Sequence, residues 1–151
     1  MSDETVPRVL SYELEIPIQA PRERVWEALT AETNAWWLAD FHVVGPESVV
    51  TLDARAGGGL VEAQPDGSSL LWYTVQMCVP GTSLHLVGHL APGWGGPSTT
   101  MLELKLEDDG EGTRLVVRDA IFGKTSEESA RSQEEGWRTL FSDGLRAHAE
   151  A

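Results

Sequence analysis

Residues 126–150 read SEESARSQEEGWRTLFSDGLRAHAE, and this stretch decides the architecture. Ser126 suits an N-cap, and Glu127 and Glu128 place carboxylates in the first turn, where the helix dipole favours them. Ala130, Gln133, Trp137, Leu140, Phe141, Gly144, Leu145 and His148 recur at steps of three and four. They predict one long helix with these residues on a single face. The stripe is apolar only in its second half. Between Ser126 and Glu135 the one apolar residue is Ala130. A helix that only packs would usually carry its stripe throughout. The second half is therefore expected to grip a sheet, and the first half to border something less dry.

Upstream, the chain reads as strands. Val9 to Ile18 alternates, with Leu10, Tyr12, Leu14, Ile16 and Ile18 on one side and Pro17 marking an edge or an end. Pro21 opens a short helix through Val25, Trp26, Ala28 and Leu29. A second is expected over Glu32 to Ala39, with Trp36, Trp37 and Leu38. Six strands follow, at about residues 47–53, 59–64, 70–79, 83–90, 99–107 and 113–121. Turns at Pro65-Asp66-Gly67, Pro80-Gly81 and Asp108 to Gly112 join them as antiparallel hairpins. Helices on one face of such a sheet make an α+β fold. Residues 1–8 are expected to form a loose tail, and 9–151 one domain.

Composition narrows the function. The chain has 151 residues and a formal net charge of −13, with only two lysines, Lys105 and Lys124. That balance argues against nucleic acid, whose phosphates need concentrated Lys and Arg. One cysteine, Cys78, excludes a disulfide framework or a cysteine-rich zinc site. No apolar run is long enough for membrane insertion, and residues 1–7 are too polar for a secretory signal, so a soluble cytoplasmic protein is expected.

Several motif-like pieces do not hold up. Gly57-Gly58-Gly59 lacks the Gly-Lys-Ser/Thr ending of a phosphate loop and reads as a bend between strands. Gly123-Lys124-Thr125 would need a glycine where Arg118 stands. His85 and His89 share a strand face, but neither His42 nor His148 completes a metal set with them at a recognisable spacing. No nucleophile elbow occurs. No metal and no cofactor are expected.

The ordered pieces Ile16-Pro17-Ile18-Gln19-Ala20-Pro21 with Val25-Trp26, Trp36-Trp37, Gly57-Gly58-Gly59, Asp66-Gly67, Pro80 with Ser83-Leu84, Gly112-Thr113-Arg114-Leu115 and Gly136-Trp137 carry a resemblance. Together they resemble the SRPBCC, or START-like, helix-grip superfamily, which includes birch-pollen-allergen-like proteins. Within it they look closest to the activator-of-heat-shock-protein-90-ATPase-like group. The resemblance implies a curved antiparallel sheet gripping the last helix, with a cavity between them. It implies three kinds of function: binding of a small aromatic or lipid-like molecule, a stress-response co-chaperone that docks on the ninety-kilodalton heat-shock chaperone, or a polyketide cyclase/aromatase. Fold alone does not choose among them.

Six tryptophans among eleven aromatics suit an apolar pocket with a few N–H donors. The expected ligand-binding surface is Trp37, Tyr73, Met77, Trp94, Trp137 and Phe141, with Asp119, Gln133 and Glu134 as its polar groups. Met77 enters because Leu71, Tyr73, Val75 and Met77 form the more apolar side of their strand, although Trp72 lies on the other side. Asp119 shares parity with Leu115, Val117 and Ile121, so it is expected to face the helix. There Arg138, Arg131 or a tryptophan N–H could partner it. With Tyr73, it is also a candidate acid/base for the cyclase reading.

Overall fold

A computed structural model describes residues 4–151. The first three residues of the expected tail lie outside the described residues. β1 spans Arg8–Ile18, and its alternation buries Leu14, Ile16 and Ile18. α1, Arg22–Ala31, follows directly, and its first backbone hydrogen bond runs from Val25 N–H to the Pro21 carbonyl. It buries Val25, Ala28 and Leu29. α2 is shorter than expected, only Thr33–Trp36. Trp37 takes an extended conformation, and a 3₁₀ turn at Ala39–Phe41 carries the chain on.

Six strands then form a meander: β2 (Val49–Leu52), β3 (Gly59–Ala63), β4 (Ser69–Val79), β5 (Ser83–Leu90), β6 (Ser98–Asp109) and β7 (Gly112–Gly123). With β1 closing beside β7, the seven-stranded antiparallel sheet has the order β1-β7-β6-β5-β4-β3-β2. β1 is thus an edge strand, which is where Pro17, lacking an N–H, can be accommodated.

β4 departs from simple alternation twice. Leu60 pairs with Tyr73 and Val61 with Leu71, leaving Trp72 as an extra residue. Val75 pairs with Leu86 and Met77 with His85, leaving Gln76 as another. Each bulge flips the side-chain parity. The first brings Trp72 and Tyr73 both to the inner face. The second turns Cys78 toward the core and Met77 away from it. The inward placement expected for Met77 is therefore corrected: its side chain lies on the outer side, 48% exposed.

The closing helix is continuous from Glu127 to Glu150 but not uniformly α-helical. α3, Glu127–Thr139, is followed by a π-helical segment, Leu140–Arg146, and a last α-helical turn, Ala147–Glu150, labelled α4. Ser126 caps it, its hydroxyl accepting from the Ser129 N–H at 3.1 Å. The break in its apolar stripe is real: α3 buries no residue fully, whereas the π segment buries Leu140, Phe141, Gly144 and Leu145. The core lies between this second half, α1, α2 and the inner sheet face. Among the described residues, no helix is long and apolar enough to cross a membrane.

Candidate functional site

A cavity of about 490 Å³ lies between the sheet and the half-dry first part of the closing helix. The sheet contributes Leu70, Trp72 and Tyr73 from β4, Gly88, His89 and Leu90 from β5, and Thr100 from β6. The helix contributes Ser129, Ser132, Gln133, Gly136, Trp137 and Leu140, and the segment after α2 adds Trp37, Phe41 and Val43. Its size and mostly apolar lining with a few polar groups are those of a small-molecule site.

The aromatic rings form one chain of contacts around it. Trp72 meets Trp37 edge-on at 5.4 Å, and Trp37 meets Trp36 at 5.7 Å. Trp36 meets Phe141 at 6.1 Å, Phe141 stacks on Trp137 at 5.1 Å, and Trp137 meets Tyr73 at 5.9 Å. The bulge that places Trp72 beside Tyr73 brings the two ends of this chain together. Gly88 makes room for the Tyr73 ring: a Cβ there would stand 2.9 Å from two ring carbons. At the inner end, the Thr100 hydroxyl donates to the Tyr73 hydroxyl at 3.0 Å. Burial pushes the Tyr73 phenol above its ordinary range, so it stays protonated and can donate. At the mouth stand Trp94, 53% exposed in the 3₁₀ turn Pro92–Trp94, and His89, whose Nδ1 lies 3.1 Å from the Thr99 hydroxyl.

Five of the nine expected residues line this cavity together: Trp37, Tyr73, Trp94, Gln133 and Trp137; Glu134 is not among the lining residues. Phe141 lies behind Trp137, 1% exposed, as the floor on which that ring stacks. Met77 lies elsewhere, for the reason given above. Asp119 faces inward as its parity requires, 2% exposed, but it is not among the lining residues. Its partner is neither an arginine nor a tryptophan. The Tyr12 hydroxyl donates to its Oδ2 at 2.6 Å, across β1 and β7, while Oδ1 is buried without a hydrogen bond.

Burial raises the Asp119 carboxyl above its ordinary 3.8, against the opposing pull of the Tyr12 hydroxyl and the Ala120 amide. The folded chain thus holds this proton more tightly than the unfolded chain. The associated stability is fully present below about pH 3.8 and is lost as pH rises through the folded value. Tyr12→Phe removes a bond that favours the charged form. It should cost about 1–3 kcal/mol near pH 7, and less near pH 4. Urea unfolding at the two pH values checks this, and equal penalties would refute it.

Sequence reasoning missed Glu62. Its side chain is 0% exposed on the inner face of β3, in the same parity as Leu60. Backbone N–H groups of Val43 and Val44 donate to Oε2 at 2.9 and 2.8 Å, and the Ser48 hydroxyl at 2.7 Å. The Trp72 indole N–H donates to Oε1 at 3.0 Å. Burial pushes the carboxyl up, but the bonds from Ser48, Val44, Trp72 and Val43 outweigh it and hold it below its ordinary 4.5. Glu62 is therefore a charged anchor that ties two cavity walls, Val43 and Trp72, to one point. The parity of Leu60 and Glu62 was visible in the sequence. The donors lie 10 to 19 residues away, in segments that carry no local signal.

Among the described residues, no group of three His, Cys, Asp or Glu side chains could hold a metal ion.

Comparison with solved structures places the fold. The chain is similar to protein CV1439 from Chromobacterium violaceum, with 19% identity, a TM-score of 0.68, and 93% of this chain and 97% of that one covered. It is similar to Ara h 8.0201, with 14% identity, a TM-score of 0.66 and coverage of 94% and 98%. The same holds for the Aha1 dimer from Colwellia psychrerythraea, with 18% identity, a TM-score of 0.63 and coverage of 93% and 96%. At these identities the likeness is one of fold. No curated protein matches the sequence. The family model described as "Activator of Hsp90 ATPase homolog 1-like protein" matches residues 19–150, from the end of β1 to the last residue of the closing helix. With its sheet, closing helix and interposed cavity, the chain belongs to this family, within the SRPBCC helix-grip superfamily.

Proposed function

We propose that the chain binds a small hydrophobic molecule with a flat, aromatic-sized body in the cavity between the sheet and the closing helix. One observation carries this reading: an open cavity of about 490 Å³ whose walls include Trp37, Trp72, Tyr73 and Trp137. A core that served packing alone would close over these rings, because interiors pack to near-crystalline density. Tyr73 and Thr100 supply a hydrogen-bonding pair at the inner end, and Gln133 an amide from the helix.

A ligand screen by heteronuclear NMR tests the proposal. Shifts should cluster at the β4, β5 and α3 lining residues, and shifts scattered over the surface would sink it. Trp137→Leu removes the ring that touches both Tyr73 and Phe141. It should weaken a bound aromatic ligand by about 10-fold or more, read by calorimetry. Unchanged affinity would remove Trp137 from the site.

A second reading is a protein-interaction module acting on the heat-shock-protein-90 ATPase. It is favoured by the family match over residues 19–150. A pull-down with that chaperone and an assay of its ATPase rate test it directly. Neither retention nor a rate change would leave ligand binding as the surviving function.

A further inference from the structure

We propose that the cavity selects hydrophobic cations of the alkylammonium class over carboxylates of the same shape; this rests on the ligand-binding reading above. The first ground is what lines the wall. The chain contains 24 acidic and 11 basic Lys and Arg residues, yet among the described residues no Asp, Glu, Lys or Arg lines the cavity. A carboxylate entering it would shed water without meeting a fixed cation. Among the described residues, His89 at the mouth is the only lining group able to carry positive charge, and it lies against Thr99.

The second ground is what the wall offers. Trp37, Trp72, Tyr73 and Trp137 present π-systems, and the face of such a ring attracts a cation. A quaternary ammonium also needs no hydrogen-bond acceptor, so its burial here leaves no donor unpaired.

The third ground is what stands behind the wall. The Trp72 indole N–H donates to the buried Glu62 carboxylate, which places a negative charge on the far side of a cavity ring and polarises it. On the helix, Glu134 is paired with Arg138 at 3.1 Å, so that pair adds little net charge beside Gln133. Among the described residues, no arginine or lysine is paired with Glu62, and its donors are Val43, Val44, Ser48 and Trp72. The His42 imidazole stands beside it, with Nδ1 3.8 Å from Oε2.

Calorimetry with three rigid probes tests the proposal: naphthylmethyl-trimethylammonium, naphthylmethanol and naphthylacetate. The titrations are run in about 0.5 M sodium chloride, where attraction to the acidic exterior is screened beyond roughly 4–5 Å and wall contacts are not. The expected order is cation, then alcohol, then carboxylate, with about 10-fold or more between the ends. If the alcohol binds but the carboxylate equals or exceeds the cation, the charge selectivity is overturned while ligand binding stands. If none of the three binds, the ligand-binding reading falls and this inference with it. Glu62→Gln should weaken the cation more than the alcohol, lowering the cation-to-alcohol affinity ratio about threefold. An unchanged ratio would remove Glu62 from the selectivity and leave it only a structural anchor.

Discussion

Replacing Glu62 with alanine is expected to destabilise the fold by about 3–5 kcal/mol, because several hydrogen bonds to a buried charged acceptor are lost at once. The residue has no exposed surface, and truncation strands the Val43 and Val44 N–H groups, the Ser48 hydroxyl and the Trp72 indole N–H around a void. Buried donors left without an acceptor each carry a desolvation penalty of about 1–3 kcal/mol, reduced where water enters the void. The pH signature separates this from simple cavity formation. The folded-state value of Glu62 lies below its ordinary 4.5, so its stabilisation is present above about pH 4.5. That stabilisation is lost as pH falls through the folded value. Chemical unfolding across the acid range should show wild type and Glu62→Ala converging as pH falls. A constant gap from pH 7 to pH 3 would mean that the charge plays no part. Glu62→Gln should recover only part of the loss near neutral pH, because its carbonyl oxygen still accepts from some of these donors while its amide nitrogen, itself a donor, faces the rest.

Such a residue shows where legibility ended. The order of elements was readable because each announces itself locally. Leu14, Ile16 and Ile18 alternate, Pro65-Asp66-Gly67 turns, and Ser126-Glu127-Glu128 opens a helix. The gap in the closing helix's stripe was readable too, and it marks the helix half that borders the cavity. Tertiary pairing was not readable. The phenol that holds Asp119 comes from Tyr12, 107 residues away, and nothing near Asp119 distinguishes it from Arg131 or Arg138 as a partner.

β4 is the clearest loss. Parity reasoning assumes one residue per step, and this strand breaks that assumption at Trp72 and again at Gln76. The conflict between Trp72 and the run of Leu71, Tyr73, Val75 and Met77 was already present in the sequence. It was the imprint of a bulge, not an ambiguity of register. Trp72 and Tyr73 are adjacent and both aromatic, and a regular strand would send one of them into water. The bulge brings both to the inner face, and Met77 is turned outward by the second irregularity. A strand whose best apolar side omits a tryptophan is thus a place to expect an inserted residue, and through it a cavity wall.

Two glycines of the closing helix should respond in opposite directions to the same added methyl group. A Cβ at Gly144 would lie well inside 3.0 Å of the Trp36 carbonyl oxygen, closer than real Cβ contacts allow, and 3.4 Å from a Trp36 ring carbon. The obstacle is backbone, so the helix or α2 must shift. Gly144 sits in the π-helical segment, which packs against Trp36 and buries Leu140, Phe141 and Leu145 around it. Gly144→Ala is therefore expected to cost about 2–3 kcal/mol, overpacking outweighing the gain in helix propensity. A Cβ at Gly136 meets only a Phe41 ring carbon at 3.7 Å, an ordinary contact. Gly136→Ala should gain about 0.5–1 kcal/mol from helix propensity alone. Because Trp36 contacts both Trp37 and Phe141, the strain in Gly144→Ala should also reach the aromatic chain and weaken any ligand held there. Equilibrium unfolding of both variants, with tryptophan fluorescence as the probe, reads the sign directly. If Gly144→Ala were as stable as wild type, the grip of the last helix on Trp36 would not depend on close backbone approach.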